Sequence, residues 1–272
     1  MLIDTHCHIN ILIKNKFDLP IAAAQLPLAE QIEQEAQSFD VTKIINVGTS
    51  VIESENCIML ARHLKNSYAV VGIHPNDCKE NWLKEFKKIK AWAKEKKEHK
   101  IIGIGECGLD YHYPNHNKQR QKDVFKAHIE LSLESDLPLV IHTRDAGDDA
   151  LELLEPFKNE NIRGVFHCFT QNSSFANYAV NQLQFSLGIG GTVTYPKNDS
   201  LRAIVKEFGL NNIVLETDAP YMPPQIIRGK KNHPKHIRTI AEYLAVFLDL
   251  SFQTVAEKTT ANAINLFSLK TF

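Results

Sequence analysis

The sequence predicts a (β/α)8 barrel, with residues 1–272 forming one domain. Two observations carry the prediction. Short apolar, β-rich runs recur eight times along the chain, and segments of helical period separate them. Strands alternating with helices imply a parallel sheet, and strands that are apolar nearly throughout imply burial on both faces. A length of 272 residues suits one closed barrel.

The runs read as strands are Leu2–His6, Lys43–Val47, Ala69–Ile73, Ile101–Glu106, Pro138–His142, Gly164–His167, Phe185–Gly190 and Ile213–Asp218. Between the third and fourth, "NWLKEFKKIKAWAKEKKEHK" repeats Leu83, Phe86, Ile89 and Ala93 at three- and four-residue steps, with lysines opposite. "QRQKDVFKAHIELSLESD" turns Val124, Phe125, Ile129 and Leu133 inward. "HIRTIAEYLAVFLDL" does the same through Ile237, Ile240, Leu244 and Phe247. A last helix, "QTVAEKTTANAINLFSL", has Ser251 as its N-cap.

Composition narrows the class. The chain is 43% hydrophobic and 23% charged, with a net charge of −1. That balance argues against a protein that coats nucleic acid non-specifically. The five cysteines are scattered without a C-x-x-C pair, which favours a reducing, cytoplasmic setting. No apolar run is long enough to span a membrane, and the N-terminus lacks the charged region of a signal peptide. No Gly-rich nucleotide-binding fingerprint follows the first strand. No obligate protein partner is evident.

The polar residues fall at strand ends. His6 and His8 close the first strand, Glu106 the fourth, His142 the fifth, His167 the sixth and Asp218 the eighth. In a barrel these ends converge on one mouth. Residues two apart share a strand face, so His6 and His8 point together. Cys7, Cys107 and Cys168 are expected to face the helix layer. Buried imidazoles and carboxylates are costly unless paired, and divalent cations are the usual compensation. The mixed nitrogen and oxygen set suits Zn²⁺, Mn²⁺ or Mg²⁺. It is large enough for two ions sharing the strand-four carboxylate, at the ~3.5–4 Å separation of two-metal hydrolases.

Taken in order, "DTHCH", "GIHP", "GIGECGLDY", "IHTRDA", "FHCFT", "ETDAPY" and "RGKKNHP" span nearly the whole chain. The set resembles the TatD family of metal-dependent deoxyribonucleases, within the amidohydrolase-like metal barrels. The resemblance implies hydrolysis of phosphodiester bonds in DNA, at single-stranded ends, by 3'-5' exonuclease action. It implies one metal held by His6, His8, Glu106 and Asp218, and a second by Glu106, His142 and His167. Glu106 stands where other superfamily members carry a carboxylated lysine. Two positions depart from the family pattern: Asn76 follows "GIHP" where a histidine is common, and His233 replaces a glutamate. Neither is an expected ligand, and both bear on substrate grip.

Asp218 and Glu106 are the expected catalytic residues, with Asp218 as general base toward the attacking water. His74, Arg144, Arg228 and Lys230 are the expected substrate contacts. His74 is read equally as a structural hydrogen-bonding group, and Arg144 equally as an ion-pair partner of Asp110. Tyr111, Tyr113 and Phe169 are candidates for base stacking, though loop aromatics more often pack. Two other readings stay open: hydrolysis of another small ester or amide on the same barrel, and a non-catalytic metal- or partner-binding protein.

Overall fold

The computed structural model describes residues 1–269. Eight parallel strands pair in chain order: β1 (Leu2–Cys7), β2 (Val41–Val47), β3 (Ser67–Val71), β4 (Ile101–Asp110), β5 (Leu139–Arg144), β6 (Gly164–Phe166), β7 (Ser186–Ile189) and β8 (Ile213–Leu215). The helices are α1 (Ile9–Lys14), α2 (Leu26–Gln37), α3 (Val51–His63), α4 (Trp82–Lys94), α5 (Lys118–Ser135), α6 (Gly147–Leu154), α7 (Ser173–Asn181), α8 (Asp199–Phe208), α9 (Ile237–Leu248) and α10 (Phe252–Leu266). The sheet is drawn nearly closed at the mouth. His8 N donates to Ala219 O at 2.7 Å and Asp218 N donates to His6 O at 2.8 Å, joining the chain after β8 to β1. The predicted (β/α)8 barrel is the observed fold.

Strand alternation sorts the apolar residues into two cores. Ile3, Ile45, Val47, Val70, Val140, Val165 and Val214 meet inside the barrel, where Ala263 and Leu266 of α10 and the following Phe267 pack against them. Leu2, Ile44, Ala69, Val71, Ile104, Leu139, Ile141, Ile213 and Leu215 belong to the core shared with the helices. Ser251 caps α10 as expected, its Oγ accepting from Thr254 N at 3.0 Å. In α4 the inward stripe is Trp82, Phe86, Ile89 and Ala93. Leu83, expected inward, is 62% exposed. The indole of Trp82 covers more apolar surface from the neighbouring position, and that sets the helix rotation.

The strand ends differ from the predicted ones. β4 runs past Glu106 to Asp110, and β5 runs past His142 to Arg144, because the two continue to pair from Gly108↔His142 to Asp110↔Arg144. β8 stops at Leu215, three residues short of Asp218, and β3 stops at Val71. Among the described residues no helix is long and apolar enough to cross a membrane.

His128 gives the fold a pH dependence of its own. Its Nδ1 faces Val124 O at 2.7 Å, its Nε2 accepts from Ile73 N at 3.1 Å, and its ring lies against Phe86. Burial pushes its pKa down to about 4. The unfolded chain, titrating near ~6.5, binds a proton that the native state refuses. The contribution is therefore whole above pH ~6.5 and shrinks as pH falls toward the folded value. At pH 5 the loss is about 2 kcal/mol for this one group. Urea titrations at pH 7 and pH 5 should show a smaller pH effect in His128→Asn than in the native sequence. Equal slopes would show that His128 contributes nothing.

Candidate metal centre

Two strand irregularities bring the polar residues into the mouth. Ile3 faces the barrel interior, so strict alternation would send Thr5 and Cys7 inward and His6 outward. A register shift between Asp4 and Cys7 reverses this. In β4, Gly105 pairs with Val140 and Cys107 with Ile141, leaving Glu106 as the extra residue of a bulge. Bulges re-aim side chains in this way beside active sites. As a result His6, His8 and Glu106 face the mouth, while Cys7 and Cys107 pack in the helix-side core as expected.

Glu106 organises the cluster. Its Oε2 lies 3.6 Å from His6 Nε2 and 4.0 Å from His8 Nε2. Asp218 Oδ1 completes that side, 3.7 Å from His6 Nε2 and 3.3 Å from His8 Nε2. The other oxygen, Oε1, lies 2.9 Å from His167 Nε2, 3.2 Å from His142 Nδ1 and 3.5 Å from His74 Nε2. One carboxylate thus presents an oxygen to each of two imidazole groups.

The far ring nitrogens fix the tautomers. His8 Nδ1 is 2.8 Å from Val47 O, and His142 Nε2 is 3.2 Å from Asp110 Oδ2. In neutral rings those nitrogens carry the protons, so His8 Nε2 and His142 Nδ1 are lone pairs aimed at the cluster. His142 Nδ1 and His167 Nε2 are 3.3 Å apart, and His6 Nε2 and His8 Nε2 are 3.2 Å apart. Electron-rich nitrogens so close to one another and to carboxylate oxygens form a donor set suited to cations. Imidazoles whose outer nitrogen is held by a carboxylate or main-chain carbonyl are the usual form of metal-binding histidine.

The carboxylates are ready to serve. Burial would raise the pKa of Glu106, but His167, His74 and His142 outweigh it and hold the group well below the carboxylate range. Asp218 is likewise pulled down, against burial, by the imidazoles of His8, His6 and His167 packed around it. Its left-handed backbone (φ 55°) turns the side chain back over β1.

The predicted substrate contacts are spread around the rim. His74 Nδ1 accepts from Asn76 N at 3.1 Å while Nε2 faces Glu106, so its nitrogens are engaged within the protein. Burial keeps it neutral, with a pKa pushed down to about 3. Arg144 is exposed, 5.8 Å from the Tyr113 ring centroid. Its alternative partner Asp110 is engaged elsewhere, by His142, by Asn76 Nδ2 at 2.8 Å and by His112 N at 3.0 Å. Arg228 lies on the ring of Tyr195, and Lys230 is exposed beyond it. Of the aromatic candidates, Phe169 is 2% exposed and packs on Phe175. Tyr111 is tied to Asp149 at 2.6 Å. Only Tyr113, of the three, is exposed at the rim.

Cys168 departs from expectation. A left-handed backbone (φ 44°) breaks the alternation after His167. Its thiol, pushed up by burial and by the charges of Asp218, Glu216 and Glu106, does not join the helix-side core that holds Cys7 and Cys107.

Glu216 stands beside the cluster and is not among the ligands expected from the sequence. This residue is buried, its Oε1 accepts from Cys168 N, and it lies 3.6 Å from His167 Nδ1. Gly188 makes room for it: a Cβ there would stand 2.3 Å from Glu216 Oε2. Asp110, a candidate ion-pair partner of Arg144, instead receives Asn76 Nδ2 and faces His142. The available signal was a carboxylate inside an otherwise apolar run, as in "IVLETDAP". His233 caps a short turn, accepting from Lys235 N at 3.1 Å, with Glu35 3.6 Å away. The loop itself is anchored by Asn232, which donates to Thr217 O and Tyr221 O.

Comparison with known proteins gives the family. The family described as TatD related DNase matches residues 3–268. The metal-dependent hydrolase YabD of Bacillus subtilis is 33% identical over 270 residues, covering 99% of this chain and 100% of the relative. The 3'-5' ssDNA/RNA exonuclease TatD of Salmonella typhimurium is 29% identical over 234 residues, covering 84% of this chain and 88% of that one. The crystal structure of the TatD homolog YjjV from Escherichia coli superposes with a TM-score of 0.86 at 27% identity, covering 99% of this chain and 98% of that chain. With the barrel, the imidazole–carboxylate cluster at its mouth and a match over nearly the full length, this chain belongs to the TatD related DNase family of metal-dependent hydrolases.

Proposed function

We propose that this protein hydrolyses phosphodiester bonds of single-stranded DNA or RNA from the 3' end, with two divalent cations in the mouth of the barrel. The observation that carries this reading is the split of Glu106, one oxygen toward His6 and His8 and the other toward His142 and His167. His6, His8, Glu106 and Asp218 would hold one cation, and Glu106, His142 and His167 the other. Mg²⁺, Mn²⁺ and Zn²⁺ are the candidates. Bound there, such ions supply Lewis acidity toward water and toward phosphoryl oxygens. The Salmonella typhimurium relative, named a 3'-5' ssDNA/RNA exonuclease, supports the choice of substrate.

The chain's own groups do the rest. Asp218, held ionised, accepts the proton of the water that attacks phosphorus. As the new P–O bond forms, the bond to the neighbouring nucleoside oxygen breaks and that oxygen leaves. His74 orients Glu106 from the Oε1 side. Arg144 and, further out, Arg228 and Lys230 supply positive charge to the strand backbone. Asp110 holds the ring of His142 in place, and Glu216 sets a negative charge 3.6 Å from His167 Nδ1.

The test uses 3'- and 5'-labelled single strands, a duplex, an RNA strand and small phosphate and carboxylate esters, each with Mg²⁺, Mn²⁺, Zn²⁺ or EDTA. A metal-dependent ladder shortening from the 3' end is expected. Turnover of a small ester with no cleavage of any strand would replace the nuclease reading by another hydrolase activity. The orienting role of Asp110 gives a separate expectation. Asp110→Asn should weaken Mn²⁺ or Zn²⁺ binding by about 10- to 100-fold in calorimetric titration. Unchanged affinity would remove Asp110 from the centre.

A further inference from the structure

The loops after β7 and β8 enclose a groove of about 550 Å³ lined by Tyr195, Pro196, Lys197, Asn198, Gln225 and Arg228. Internal hydrogen bonds fix its walls. Arg202 of α8, nearly buried, donates to the main-chain oxygens of Val193 (3.0 Å), Tyr195 (2.6 Å) and Pro196 (3.0 Å). Two bonds tie the loops together: Tyr195 Oη donates to Pro223 O at 2.9 Å, and Gln225 N donates to Thr194 Oγ1 at 2.8 Å.

Two cations stand on this frame. The Arg228 guanidinium carbon lies 4.4 Å from the Tyr195 ring centroid. Lys197 is exposed, and among the described residues it has no partner. None of the six lining residues is acidic. Arg228 Nη1 donates to Gln225 Oε1 at 3.5 Å, and the remaining N–H groups of the stacked guanidinium are left for a phosphate, with little freedom lost on binding. The groove also adjoins the imidazole–carboxylate cluster. The loop that carries Gln225 and Arg228 leaves the cluster at Asp218; its Tyr221 ring centroid lies 6.0 Å from that of His8, and its Pro223 O accepts the bond from Tyr195 Oη.

We propose that this groove binds an uncleaved phosphate of a nucleic-acid strand, beside the bond cut at the Glu106 centre, and so makes the enzyme prefer strands over isolated phosphodiesters. This inference rests on the nuclease reading above. Arg228 and Lys197 grip the backbone without reading bases, so the preference is for length, not sequence. Arg202 is a positioning residue for the wall.

The test compares kcat/KM for an eight-nucleotide deoxythymidine strand with that for a deoxythymidine dinucleotide, in 50 to 200 mM salt. Native protein and the Lys197→Gln/Arg228→Gln double variant are both measured. The native enzyme should favour the longer strand. In the double variant the ratio should fall about tenfold, through KM rather than kcat, and the log–log salt dependence should flatten by about one unit. A ratio and salt slope equal to the native ones would overturn the groove. Native protein that cleaves both substrates with no preference for length would also overturn it, while leaving the nuclease reading standing. Native protein that cleaves neither with any metal would overturn both.

Discussion

Glu106→Gln should abolish hydrolysis and metal binding together. The two side chains are nearly the same size, so the bulge of β4 has no steric reason to change. What disappears is the negative charge shared between the two imidazole groups. Turnover should fall by about 10³-fold or more, since transition-state charge stabilisation worth several kcal/mol is lost at both sites. Thermal unfolding offers a second readout. Cation at about 100 times its Kd stabilises the native protein by about 2.7 kcal/mol. For a chain of this size that raises Tm by about 5 °C. The variant should show little of that rise and should carry less than one ion per chain by elemental analysis. Full occupancy in Glu106→Gln would mean that the ions lie elsewhere.

Asp218→Asn should separate binding from chemistry. Asparagine tolerates the left-handed backbone at this position, so the turn over β1 can persist. Its main-chain bond to His6 O does not depend on the side chain. His6, His8 and Glu106 remain to hold a cation. The lost function is proton acceptance, and kcat should fall by about 10²- to 10⁴-fold with KM much less affected. A variant with native kcat would remove Asp218 as the base. The alanine variant is less informative, because a left-handed alanine adds backbone strain to the chemical change.

The sequence carried much of this centre because its parts are locally encoded. A histidine or carboxylate at the end of an apolar run is visible without neighbours, and His6, His8, Glu106, His142, His167 and Asp218 do converge. The supporting groups were less visible. Asp110 and Glu216 read as ordinary carboxylates until the fold brings His142 and His167 against them from 32 and 49 residues away. The same holds for Asn76, whose bond to Asp110 appears only once β3 and β4 lie side by side. The groove beside Tyr195 depends on two loops that meet only in space.

Periodicity alone determined the alternation of strands and helices, and hence the barrel, because burying an apolar face requires spacing that matches the backbone repeat. Which way His6 and Glu106 face was decided only by the tertiary structure. A one-residue register shift reverses every side chain beyond it. Whether β1 and β4 shift at those points depends on how β2 and β5 pair with them, and nothing in the six or ten residues of either strand records that.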